Sequence, residues 1–199
     1  MVAEWTAAGP NEPLLRPPSR ILVAGVSGSG KTTLAGRIAA LTGIPHTEID
    51  ALHHGPDWVP RGEFVTEVRE LVGRERWITE WQYSQVRELL ADRADVLIWL
   101  DLPFARVVLP RLVRRTLRRR WHREMLWNGN VEPPLWTVLR DRDHVVRYAV
   151  TGRRKYHQKI PALAAARPDL TIVRLRSPAH VERWMSGPLR DALVRPPQL

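Results

Sequence analysis

Residues 25–32 read Gly25-Val26-Ser27-Gly28-Ser29-Gly30-Lys31-Thr32 and satisfy G-x-x-x-x-G-K-[ST] at every fixed position. The chemistry that spacing serves is the holding of a polyphosphate. Gly25, Gly28 and Gly30 permit positive φ, so the amides of Val26, Ser27, Ser29 and their neighbours can turn inward toward phosphate oxygens. A helix opening at Lys31 adds its partial positive end. Lys31 can reach the β- and γ-phosphates, the Thr32 hydroxyl can ligate Mg²⁺, and Thr33 is read with residues 25–32 as nucleotide-binding. The flanks fit: "RILVAGV" precedes as a short buried strand, and Leu34, Ile38 and Leu41 recur at helical spacing behind it. The expected ligand is a nucleoside triphosphate, ATP ahead of GTP, with Mg²⁺.

An acid is needed near such a loop to hold the metal or orient an attacking hydroxyl. In an open parallel sheet the useful positions are the carboxyl ends of strands. Asp50, Glu80 and Asp101 stand at the ends of three predicted strands, and Asp50 is the first choice for the metal together with Thr32. Asp101, before Leu102-Pro103, is read as a turn or helix-capping residue. His53, His54, Asp57 and Trp58 follow Asp50; adjacent histidines fit no standard zinc spacing without other ligands, and contact with an acceptor is what a resemblance to small P-loop kinases implies for this segment.

The stretch "RLVRRTLRRRWHR", residues 111–123, carries seven arginines. On a helix from about Phe104 to Arg120, Ala105, Val108, Leu109, Leu112, Val113, Thr116 and Leu117 form an apolar stripe. Arg111, Arg114, Arg115 and Arg118 form a cationic stripe beside it. Like charges at that spacing repel by a few tenths of a kcal/mol per pair, roughly, which suggests a counter-anion. Phosphate is the natural one, since the guanidinium fork matches its geometry.

The elements that must position these residues follow from the pattern along the chain. Apolar strands alternate with amphipathic helices: "RILVAGV", "IPHTEID", "RWITE", "DVLIWLDL" and "DLTIVRL" as five strands, "RGEFVTEVRELVG" and "YSQVRELLADRA" as helices between. A helix is expected over about Leu135–Lys159, and a last one in "SPAHVERWM" with Ser177 as N-cap. This predicts a three-layer α/β fold, a five-stranded parallel sheet with helices on both faces. The proline-rich residues 1–19 read as a flexible arm, 20–186 as the domain, and 187–199 as a tail. The 199 residues suit one domain, and the absence of cysteine excludes disulfides and thiolate metal sites. No signal peptide or membrane span is legible, so a cytoplasmic protein, a monomer or homodimer, is expected.

The loop, with "DALHHGPDW", "WITEWQY", "VLIWLDLPF", "RLVRRTLRRR", "WNGNVE" and "VRLRSPAHVERW", resembles the nucleoside-monophosphate-kinase-like group of P-loop proteins over about residues 20–186. Within that group it resembles most the adenylate-kinase-like small kinases called topology modulation proteins. The resemblance implies the P-loop NTPase fold with a mobile arginine-rich lid over about 119–141, bending at Asn128-Gly129-Asn130. It places an acid near the metal at Asp50, as in shikimate-kinase-like proteins. It makes Arg111 and Arg115 an R-x-x-x-R pair, one packing on the nucleotide base and one meeting phosphate. Arg118 follows less directly, and Arg140 and Arg142 would return from the lid. Glu80-Trp81-Gln82-Tyr83 departs from the group's Asp-Gly-Asn-Tyr-like stretch. The catalytic set implied is Lys31, Asp50, Arg111 and Arg115. The reaction expected is transfer of the γ-phosphoryl group of ATP to a small acceptor: nucleotide, nucleoside or metabolite. The alternatives are a nucleic-acid-associated ATPase, favoured by clustered Arg and Trp, and a nucleotide-binding regulatory protein without chemistry.

Overall fold

The computed structural model of the chain describes residues 6–121 and 145–194. Strands β1 (Arg20–Gly25), β2 (Trp77–Glu80), β3 (Val96–Leu100) and β4 (Thr171–Leu175) form one parallel sheet in the order β2-β1-β3-β4. Ile21 pairs with Ile78 on one side and Val96 on the other, which fixes the register of β2, β1 and β3. The residues of β2 and β3, and all of β1 after Arg20, are buried. A strand hidden on both faces needs no polar alternation, which is why these segments read as unbroken apolar runs. Asp95 pins the start of the sheet. Its carboxylate accepts from the Ser19 and Arg20 amides at 3.0 and 2.9 Å and from the Arg20 guanidinium at 2.7 Å.

The sheet has four strands, not the five expected. "IPHTEID" contributes a single bridge, His46 to Ile78, on the outer edge of β2. The Ile78 amide donates to the Pro45 carbonyl at 2.9 Å and the Thr47 amide to the Ile78 carbonyl at 3.0 Å. Proline brings no amide of its own, and the Thr47 carbonyl accepts from the Thr79 hydroxyl at 2.8 Å. The ladder stops there, and the chain turns into helix α2 (Ile49–His53).

Helix α1 (Lys31–Thr42) packs on β1 and β2, and ends on Gly43 in the left-handed region, whose amide donates to the Ala39 carbonyl at 2.8 Å. Helix α3 (Phe64–Gly73) buries Phe64, Val68 and Leu71, the face expected, and meets α4 (Arg87–Arg93). After β3 the chain forms a wide turn over Phe104–Val108 that runs into α5 (Leu109–Trp121). Pro110 has no N–H to continue the ordinary ladder, and the Leu109 amide reaches back five residues to the Phe104 carbonyl. On this helix the buried stripe is narrower than expected. Val108, Leu112 and Thr116 are buried, while Val113 and Leu117 are exposed.

Helix α6 (Val145–Ala166) continues past Lys159 and through Pro161. A proline inside a helix costs about 3 kcal/mol, but the stripe Tyr156, Ile160 and Ala164 is buried on the core. The region expected as a lid, with Arg140 and Arg142, lies almost wholly outside the described residues, as does Asn128-Gly129-Asn130. Helix α7 (Pro178–Trp184) begins on Ser177, whose Oγ accepts from the His180 amide at 3.1 Å as expected of an N-cap. The chain continues through 185–189 into α8 (Arg190–Val194), burying Leu189 and Ala192 beyond the boundary drawn at 186. The arm read as flexible is docked at two points. Ala8 exchanges backbone hydrogen bonds with Ile172 and Arg174 at the β4 edge, both 2.9 Å, and Leu14 is buried.

Candidate active site

Strand β1 has β2 on one side and β3 on the other, so the strand order reverses at its carboxyl end, the place where open parallel sheets bind their ligands. The phosphate loop occupies that point. Gly30 takes φ 94° before α1, and Gly28 takes φ 80° beneath α5. A Cβ on Gly28 would come within 2.9 Å of Leu112 Cβ, so loop and arginine helix pack in direct contact. The Ser29 amide closes a turn on the Val26 carbonyl at 3.1 Å. Val26 and the Ser29 hydroxyl are buried, whereas Thr32 and Thr33 are exposed on the first turn of α1.

Lys31 opens α1 and donates from Nζ to the Val26 carbonyl at 3.4 Å. Burial pushes its pKa below the ordinary lysine value; Asp50 and then Glu80 pull it back up, while Arg115 adds to the depression. Those three groups come from α2, β2 and α5, so the fold gathers charges from three elements around the ammonium that α1 supplies. Arg115 Nη2 lies 3.5 Å from Ser27 Oγ, and Arg111 Nη1 lies 4.0 Å from where a Gly30 Cβ would stand. Both arginines therefore overhang the loop from α5. Arg114 and Arg118 are exposed.

Asp50 lies in the first turn of α2, not at the end of a sheet strand. Its Oδ1 accepts from Gln82 Nε2 at 2.5 Å and from Tyr83 Oη at 2.6 Å. Glu80, the last residue of β2, is buried and supports α2. Its Oε2 accepts from the Ile49 amide at 3.0 Å, and its Oε1 pairs with His46 Nε2 at 3.1 Å. Burial alone would raise the Glu80 pKa; the bonds from His46 and Ile49, helped by the nearby His46 and Lys31 charges, outweigh it and hold the carboxyl below its usual value. Glu80 thus satisfies an orphan amide at the start of the helix that carries Asp50.

Asp101 does not cap α5. It pairs with Arg174 at 2.5 Å and with His157 at 3.0 Å, and Arg174 lies over the Trp99 ring, 4.5 Å from its centroid. Trp81 is buried and donates from Nε1 to the Arg87 carbonyl at 3.1 Å, which makes it core. His53 stacks on Tyr83 at 3.8 Å between centroids and meets Phe64 edge-on. Burial, then the charge of His54, lowers the His53 pKa against the pull of Asp50. Trp58 lies edge-on to His54 at 5.1 Å. Among the described residues no three His, Asp or Glu side chains gather into a metal cage.

Sequence reading missed the partners of Asp50. Gln82 and Tyr83 stood out only as part of a stretch departing from a known group, yet their place after β2, beside β1, was the available signal. Among the described residues no helix is long and apolar enough to cross a membrane.

The chain matches no family model and no curated protein. It is similar to a solved gluconokinase from Sinorhizobium meliloti 1021, with 24% identity over 89% of this chain and 95% of that one, TM-score 0.46. It is similar to a sugar kinase from Janibacter sp. HTCC2649, with 23% identity over 86% and 97%, TM-score 0.45. A shikimate kinase from Acinetobacter baumannii, solved with shikimate, gives 19% identity over 88% of each chain, TM-score 0.44. These likenesses are too distant to say which molecule this chain acts on.

Proposed function

We propose that the chain is an ATP-dependent phosphotransferase that moves the γ-phosphoryl group to a small acceptor bearing a hydroxyl or an acid. The observation that carries this reading is the gathering at residues 25–32 of Arg115, with Nη2 3.5 Å from Ser27 Oγ, of Arg111, with Nη1 4.0 Å from the place of a Gly30 Cβ, and of Asp50, whose charge acts on Lys31.

The residues fit a Mg²⁺–nucleotide complex. The loop glycines have the conformations that turn amides inward, the Thr32 hydroxyl is exposed beside them, and Asp50 is held by bonds to Oδ1 alone. Thr32, and Asp50 through water, would hold the ion, which supplies charge neutralisation on the β- and γ-phosphates when bound. Lys31 and the loop amides hold those phosphates in place. Arg111 and Arg115 present fixed positive charge to the migrating group, which is stabilisation prepared before the reaction begins. Asp50 Oδ2 has no hydrogen bond among the described residues and accepts from the incoming acceptor oxygen. That oxygen forms its bond to the γ-phosphorus as the bridging oxygen leaves with ADP, and its proton passes to Asp50 or to solvent.

The test is ADP release with Mg²⁺ and ATP across nucleosides, nucleotides, polyols, hydroxy acids and single-stranded oligonucleotides. Release stimulated by one small acceptor supports the reading. Stimulation by oligonucleotide alone would replace it with a nucleic-acid-dependent ATPase.

A further inference from the structure

Tyr83 takes φ 56°, a left-handed conformation that bulky residues rarely adopt and that costs of the order of 1–3 kcal/mol. Something around it must hold it there, and what the strained backbone achieves is visible at the tip of the side chain. The hydroxyl lies 2.6 Å from Asp50 Oδ1 and 3.0 Å from His54 Nε2. An ionised carboxylate only accepts, so the single phenolic hydrogen points at Asp50. The phenolic oxygen must then accept from His54 Nε2–H. The ring itself is fixed by stacking on His53 and by an edge contact with Phe64 at 5.3 Å. Gln82 spends an amide hydrogen on the same Oδ1. Two consecutive residues after β2 therefore aim both of their bonds at one oxygen of one carboxylate.

From this geometry we infer that Gln82 and Tyr83 are positioning residues for Asp50. Clamped through Oδ1, Asp50 keeps one rotamer and presents Oδ2 to the reaction site, and His54 sets the direction of the Tyr83 hydroxyl. The inference rests on the phosphotransferase reading for what Oδ2 does, but the clamp itself is a statement about Asp50. A carboxylate free to rotate samples orientations in which neither oxygen meets the acceptor, and reactivity falls steeply with such misplacement. The inference gives both residues a role through Asp50, by way of their bonds to its Oδ1.

The test compares Tyr83→Phe, Gln82→Met and the double variant, each in the natural background and beside Asp50→Asn. Tyr83→Phe deletes one oxygen and keeps the ring stack, so folding is preserved, and the thermal midpoint checks this. The expected result is a fall in kcat of about 10- to 100-fold, the range seen when outer partners of a working ligand are removed. KM for ATP should stay within about twofold, since the loop is untouched. Beside Asp50→Asn the same substitutions should change kcat by less than about twofold, because their target no longer works. Equal losses in both backgrounds would mean a structural role and overturn the inference. The second readout needs no activity: crystal structures of the wild type and Tyr83→Phe. One Asp50 rotamer in the wild type and a rotated or divided one in the variant supports the clamp; an unchanged Asp50 overturns it. Absence of transfer to any acceptor would sink the phosphotransferase reading, while the Asp50 rotamer would still decide this one.

Discussion

Lys31 sits among charges of both signs: Asp50 and Glu80 favour its ammonium, whereas burial and Arg115 oppose it, and the opposition prevails. A lysine whose pKa lies below 10.5 begins to lose its charge earlier than an exposed one as pH rises. The profile of kcat/KM for ATP, which reports the free enzyme, should therefore turn down on the alkaline side below that value. A profile that stays flat to higher pH would mean that burial and Arg115 do not depress Lys31. Glu80 makes a different prediction because its carboxylate stabilises the fold. Its folded pKa is depressed, so its contribution is present above the unfolded pKa and is lost as pH falls through the folded one. Glu80→Gln should cost about 1–3 kcal/mol at neutral pH, and the gap from the wild type should close on acidification. Denaturant titrations at several pH values measure this; a gap that widened in acid would contradict it.

Between elements, the decisive contact is α5 on the phosphate loop. Gly28 has φ 80°, and a methyl there would meet Leu112 Cβ at 2.9 Å and the Val108 carbonyl at 3.3 Å. Gly28→Ala should push α5 off the loop, lower stability by roughly 2 kcal/mol or more, and weaken ATP binding together with the overhang of Arg111 and Arg115. Calorimetric titration with ATP checks the second effect; unchanged affinity would mean that the helix and the loop are independent. Much at this scale was legible in the sequence. The loop, α1 with its Gly43 cap, the face of α3, and Ser177 at the start of α7 each follow from local chemistry read over a few residues. What was not legible depended on partners far along the chain. The segment around Pro45 looks like a strand by its own residues, and only the claim of Thr79 on the Thr47 carbonyl shows why it stops. Glu80 reads as a candidate metal acid until its two oxygens are seen on Ile49 and His46. A tyrosine at positive φ cannot be predicted from propensity, because propensity argues against it.

Across the whole molecule the formal charge is +10, and residues 111–123 carry seven of the arginines behind it. If that charge serves one polyphosphate, ATP with Mg²⁺ should stabilise the fold by an amount set by mass action, about 2.7 kcal/mol at a hundredfold excess over Kd, and so raise the thermal midpoint. Lys31→Ala and Arg115→Ala should each diminish the shift. If the charge serves nucleic acid, oligonucleotide binding should instead dominate and fall steeply with salt. Melting curves with each ligand at two salt concentrations separate the two.

The most direct measurement follows the γ-phosphoryl group itself. ATP labelled at that position is incubated with Mg²⁺ and pooled small acceptors, using the wild type, Lys31→Ala and Asp50→Asn. The account predicts label on one small acceptor with the wild type, none or nearly none with Lys31→Ala, and a rate much reduced but still measurable with Asp50→Asn. Label recovered only as free phosphate, at a rate indifferent to acceptor and to Asp50, would contradict it.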